Sequence, residues 1–82
     1  MLDIDYKDSF LKTVRKIKNQ DLKEKVKKQI EKIIEYPETG KPMQYERKGT
    51  REVYLAPFRL AYSYNPEKNS LIFLNLYRKD EQ

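Results

Sequence analysis

The apolar residues of this chain change period once, and that change sets the architecture open to it. Between Phe10 and Ile34 they recur every three to four residues, as on one face of a helix. From Met43 onward they alternate with polar residues, as on a strand with one buried face. Helices first and strands after predict an α+β fold with an antiparallel meander.

Before the helices, Leu2, Ile4 and Tyr6 alternate with Asp3 and Asp5, which predicts a short strand with one buried face. Its aspartates would blunt an exposed edge. Asp8 or Ser9 is placed to cap a first helix of about three turns, packed by Phe10, Leu11, Val14 and Ile17. Asn19 and Gln20 read as a short connection. Asp21 and Glu24 form a capping-box-like pair for a second helix, whose stripe is Leu22, Val26, Ile30, Ile33 and Ile34. Tyr36-Pro37 ends it, because the residue before proline avoids helical backbone. So short a connection predicts an antiparallel helix hairpin. Residues 37–42 read as a loop.

In the second half, Met43 and Tyr45 start a strand, and Arg47-Lys48-Gly49 makes a basic turn. Arg51, Val53 and Leu55 share one face of the next strand, with Glu52 and Tyr54 on the other. Pro57 breaks that strand or marks a tight turn. Phe58, Leu60, Tyr62 and Tyr64 then face one way; Arg59, Ala61 and Ser63 face the other. Residues 65–70 are a turn by composition. On the last strand, alternation places Ile72, Leu74 and Leu76 on one face and Phe73, Asn75, Tyr77 and Lys79 on the other. The expected fold is therefore an N-terminal strand and an antiparallel helix hairpin. The hairpin packs on one face of a three- to four-strand, mainly antiparallel sheet, and residues 1–82 form a single domain.

Chemistry is bounded by what is missing. There is no cysteine and no histidine, which removes thiolate sites and the commonest general base and metal ligand. A chain of 82 residues buries only about 60–65% of its unfolded surface, enough for one core and no cofactor domain. No cofactor is expected. No apolar run approaches the roughly 20 residues of a membrane helix, and the N-terminus lacks a basic-then-apolar leader; a cytoplasmic protein is expected. The net charge of +5 favours a polyanionic partner, nucleic acid or an acidic protein.

On the sheet face that the helices leave open, Arg59, Tyr77, Arg78 and Lys79 would form an anion site, since arginine pairs with phosphate and tyrosine stacks on bases. Arg47, Lys48 and Arg51 would add a second basic cluster around Gly49. Lys41, Lys48 and Lys68 suit a merely solvated surface, and the helix lysines do too. A cation inside Phe58-Arg59-Leu60-Ala61-Tyr62 is not what burial alone requires.

In order, spacing and length, the chain resembles the RelE/ParE superfamily of toxins from type II toxin–antitoxin systems, and looks closest to short archaeal RelE-like members. The resemblance is carried by the stretch from Tyr45-Glu46-Arg47 through Pro57 to Phe58-Arg59-Leu60-Ala61-Tyr62, and by Leu76-Tyr77-Arg78-Lys79 closing the last strand. It implies a metal-independent, ribosome-dependent endoribonuclease that cuts mRNA in the decoding site. In such enzymes the ribose 2′-hydroxyl attacks the adjacent phosphate, leaving a cyclic phosphate and a 5′-hydroxyl. It further implies phosphate stabilisation by Arg59, with Lys79, Arg78 and Tyr77 completing the catalytic set. Arg51, Lys48, Arg47 and Tyr54 would contact RNA. The implied partner is a RelB-like antitoxin in a hetero-oligomer. The same scaffold serves ParE-like inhibitors of DNA gyrase and catalytically weak RNA-binding relatives, and these are the alternatives. Two departures from the family pattern stand out: Glu52 and Tyr54 occupy a strand that is usually basic, and Asp80-Glu81-Gln82 stands where many members carry a tyrosine.

Overall fold

The computed structural model describes residues 2–42 and 49–78. The elements are β1 (Asp3–Tyr6), α1 (Asp8–Lys16), α2 (Gln20–Glu35), β2 (Lys41–Pro42), β3 (Thr50–Leu55), β4 (Phe58–Asn65) and β5 (Ser70–Arg78). The strands form one sheet in the order β1-β5-β4-β3-β2. The β2–β3, β3–β4 and β4–β5 pairs are antiparallel; β1 lies parallel to β5. The sheet thus has five strands rather than three or four. One addition is the N-terminal strand, which joins as an edge. The other is the two-residue β2, which sequence composition marks as loop; Pro42, without an N–H, is suited to an edge. The strand expected from Met43 and the basic turn at Arg47-Lys48 lie outside the described residues.

The two helices pack on one face. Phe10 and Ile17 from the α1 end, and Val26 and Ile33 from α2, meet Phe58, Leu60 and Tyr62 of β4 and Leu71, Phe73 and Leu76 of β5 in a single core. The helix caps differ from expectation. Lys7 precedes α1 without a side-chain cap, and Asp8 is already helical. Ser9 instead donates from Oγ to the Leu74 carbonyl at 2.7 Å. Asn19, not Asp21, caps α2, accepting from the Leu22 amide at 3.1 Å; helix formation two residues earlier leaves Asp21 in the first turn.

The largest correction concerns β5. Its pairing with β4 slips between Ala61 and Tyr62: Ala61 faces Asn75, but Tyr62 faces Phe73. Leu74 is the extra residue of a β-bulge, and one extra residue reverses side-chain parity. Leu71 and Phe73 before the bulge, and Leu76 after it, therefore all point at the helices and are buried. Phe73 is core, not open face, and Ile72 and Leu74 are only partly buried. The Phe73 ring lies 5.2 Å from that of Tyr6 and 5.4 Å from that of Phe10. The β1 side chains remain more exposed than predicted, with Ile4 at 38% and Tyr6 at 37%, because a four-residue edge strand sits at the rim of the core.

Turn chemistry follows composition. Leu55 pairs with Phe58 across a two-residue turn at Ala56-Pro57, whose peptide bond is cis. Asn69 takes a positive φ of 53°, which asparagine tolerates better than most residues. The bulge makes a direct prediction. Phe73→Ala should destabilise the protein by about 3–5 kcal/mol, and Leu74→Ala by about 1 kcal/mol, in urea unfolding. Strict alternation would reverse that order.

Candidate nucleic-acid interface

The two-residue turn at Ala56-Pro57 fixes which residues of β3 and β4 stand side by side. Tyr54 is registered with Arg59, and Arg59 with Tyr77 across the next ladder. Tyr54, Arg59 and Tyr77 thus form a row across three strands on the face that lacks helices. The adjacent row is Glu52, Ala61 and Asn75. From there Glu52 reaches diagonally to the side chains of Arg59 and Tyr77. Its Oε1 accepts from Arg59 Nη1 at 2.7 Å, and its Oε2 accepts from the Tyr77 hydroxyl. Ala61, opposite Glu52, has a methyl group where a larger side chain would fill that diagonal.

The arrangement combines a guanidinium, a carboxylate and a phenol. The Arg59 side chain is 31% exposed and that of Glu52 only 14%. The hydrogen bond that Arg59 donates to Glu52 lifts the guanidinium above its ordinary value; burial opposes it, and the Glu52 charge reinforces it. Arg59 is a fixed cation at any physiological pH. Its Nε is buried and has no hydrogen-bond partner among the described residues. Tyr54, 60% exposed, offers a ring face for stacking beside it. Such a row can bind an anion, stack a base and donate a proton from Tyr77.

The other expected site residues divide. Arg78 follows Tyr77 but points to the opposite side, with its guanidinium 5.7 Å from the centre of the Phe58 ring. There it lines a groove of about 450 Å³ together with Lys16, Lys18, Ile17, Leu22 and Leu76. Arg51 lies on the helix side as well. It donates from Nη1 to the carbonyls of Glu38 at 3.1 Å and Gly40 at 2.7 Å. Arg47, Lys48 and Lys79 lie outside the described residues.

Arg51 belongs to a latch on the loop after α2. The fully buried Tyr62 donates its hydroxyl to the Pro37 carbonyl and accepts from the Gly40 amide, both at 2.8 Å. A Cβ at position 40 would meet the Tyr62 hydroxyl at 2.9 Å, so glycine is required there by contact. Burial pushes the Tyr62 phenol above its ordinary value, while the Gly40 amide and the Arg51 cation pull it partly back.

Sequence reasoning treated Glu52 as a departure from a pattern, not as part of the site. Its signal was the turn: a two-residue connection pairing residue 55 with 58 also pairs 52 with 61, and so puts an acid two positions from Arg59 on the same face. Among the described residues there is no cluster of His, Cys, Asp or Glu that could hold a metal ion, and no helix long and apolar enough to cross a membrane.

A family model described as the ParE toxin of the type II toxin–antitoxin system parDE matches residues 4–82. Solved structures are similar over nearly the whole chain. The Escherichia coli RelBE toxin–antitoxin complex gives a TM-score of 0.79 at 19% identity, covering 99% of this chain and all of that one. A YoeB/ParE toxin from Agrobacterium tumefaciens gives 0.80 at 14% identity, covering 94% and 98%. The archaeal RelE–RelB complex from Pyrococcus horikoshii OT3 gives 0.75 at 14% identity, covering 99% and 98%. At these identities the likeness establishes the fold. No curated protein matches the sequence significantly.

The latch yields two expected outcomes. Tyr62→Phe leaves the Gly40 amide and the Pro37 carbonyl short of a partner, and should cost about 1–3 kcal/mol in chemical denaturation. Because the folded phenol titrates above its ordinary value of 10.0, the unfolded chain loses its proton first. The stability gap between wild type and Tyr62→Phe should be full below pH 10 and narrow as pH rises above it. Arg51→Met should speed hydrogen exchange at the Gly40 amide, whereas Arg59→Met should leave that amide protected.

Proposed function

The chain belongs to the RelE/ParE superfamily of type II toxin–antitoxin toxins, with the ParE model spanning residues 4–82, and from that premise we propose that it is a toxin that cleaves mRNA on the ribosome. The observation that supports this reading is the Tyr54–Arg59–Tyr77 row on the helix-free face. A single strand laid across β3, β4 and β5 would stack a base on Tyr54 and present a phosphate to Arg59. Such stacking is worth about 1–3 kcal/mol per base and tolerates any sequence.

In the proposed reaction the ribose 2′-oxygen bonds to phosphorus as the bond to the 5′-oxygen breaks. The 2′ proton passes to a protein base, and the leaving 5′-oxygen takes a proton from Tyr77. The products are a cyclic phosphate and a 5′-hydroxyl. Arg59 stabilises the charge that builds on the phosphate oxygens. Lys79 would hold a flanking phosphate of the strand, whereas Arg78, turned to the opposite side, serves the groove. Lys48 and Arg47 would add further phosphate contacts. Arg51 would contribute by bracing the loop at Glu38 and Gly40, since its guanidinium is already shared between those two carbonyls.

A cognate antitoxin in the cytoplasm is the proposed partner. The E. coli and P. horikoshii relatives were solved as complexes of this kind. On this chain the groove lined by Lys16, Lys18 and Arg78 among apolar residues suits an acidic segment with apolar anchors. The ParE description of the matching family favours a second reading, inhibition of DNA gyrase without RNA cleavage.

One experiment separates the two readings. The protein is expressed with translating ribosomes, and mRNA 5′ ends are mapped. Codon-register cuts are expected, falling about 100-fold or more in Arg59→Ala, the usual scale for one lost charge-stabilising donor. Intact mRNA together with blocked DNA supercoiling would establish the gyrase reading instead.

A further inference from the structure

We propose that Glu52 sets how tightly this site takes a phosphate: its carboxylate occupies Arg59 in the phosphate's place, and a substrate must displace it. The inference rests on reading Arg59 as the phosphate ligand, and it concerns a residue with no assigned role. Arginine grips a phosphate with two parallel N–H bonds, from either the Nη1/Nη2 end or the Nε/Nη2 side of the guanidinium. Here the side is closed, because Nε is buried. The end is engaged, because Nη1 is held by Glu52 at 2.7 Å. The second Glu52 oxygen accepts the Tyr77 hydroxyl, so the proposed proton donor is committed to the same carboxylate.

Three features make this arrangement more than a chance surface pair. Glu52 is only 14% exposed, so water screens its charge less than on an open surface. Its place is set by backbone register, opposite the methyl group of Ala61. It also bridges two partners on two different strands, β4 and β5. A phosphate arriving at Arg59 meets a like charge on the same guanidinium. A strand free in solution therefore binds weakly, and a strand already held beside the sheet by other contacts competes at a high effective concentration.

The test measures binding without cleavage, using a single-stranded 2′-deoxy oligonucleotide and, separately, orthophosphate. Glu52→Gln keeps the size of the side chain and removes its charge. It should bind both probes about tenfold more tightly than wild type, with the oligonucleotide's salt slope steeper by about 0.7 for one more phosphate neutralised. The gain should vanish when Arg59→Ala is added. Glu52→Asp, one methylene shorter, should give a smaller gain, and it carries the test if Glu52→Gln does not fold. Unchanged or weaker binding of both probes by a variant with the wild-type melting temperature overturns the proposal. If phosphate tightens in Glu52→Gln but mRNA on translating ribosomes stays uncut, the Glu52 role stands and the RNA reading falls. If Arg59-dependent mRNA cuts appear while phosphate affinity ignores Glu52, the RNA reading stands and this proposal falls.

Discussion

The β-bulge at Leu74 is the constraint on which both the core and the site depend. Phe73 and Tyr77 are four residues apart, and on an uninterrupted strand they would share a face. Phe73 is needed behind the sheet, between Tyr6, Phe10 and Tyr62. Tyr77 lies in front, beside Arg59. One extra residue between them allows both placements. The bulge is fastened from behind: the Lys7 amide donates to the Phe73 carbonyl at 2.9 Å, and Ser9 Oγ to the Leu74 carbonyl at 2.7 Å. The start of α1 therefore holds the register that places Tyr77. A side chain at residue 9 acts on the front face through the backbone of β5, without touching the site.

The parts of the chain that were legible and those that were not separate along this line. Periodicity identified both helices and the three long strands, because each buries a stripe that repeats at its own period. The β4 pattern of Phe58, Leu60 and Tyr62 inward and Arg59 outward was readable because that strand is regular from the turn to Ala61. The β5 pattern was misread because alternation assumes no inserted residue. The trace of the bulge in sequence is slight: Leu71, Phe73 and Leu76 are apolar at spacings of two and three, yet Ile72 and Leu74 are apolar too. Only pairing with β4 decides among them. The parallel seat of β1 beside β5 was equally hidden, since strand order is a long-range property. Arg51 shows a further limit: parity places it on the helix side, but the carbonyls that hold it belong to a loop eleven to thirteen residues away.

The site also separates attraction from capture. The chain carries a net charge of +5, but at the row where Arg59 stands the local charge is balanced by Glu52. Other cations lie elsewhere, along the lysine-rich helices and around the groove lined by Lys16, Lys18 and Arg78. Fields from such charges act over about 8–10 Å at physiological salt and raise the encounter rate with any polyanion. They do not choose a phosphate. On the proposed reading, choice falls to the short-range row, where a ring face, a guanidinium and a phenol meet within three strands. If the row is the capture site proposed above, its charge balance beside a basic surface would tie commitment of a strand to its geometry at Tyr54, Arg59 and Tyr77. It follows that a change among the helix lysines should act on how fast a polyanion arrives, and a change at Glu52 on whether Arg59 is released to hold it.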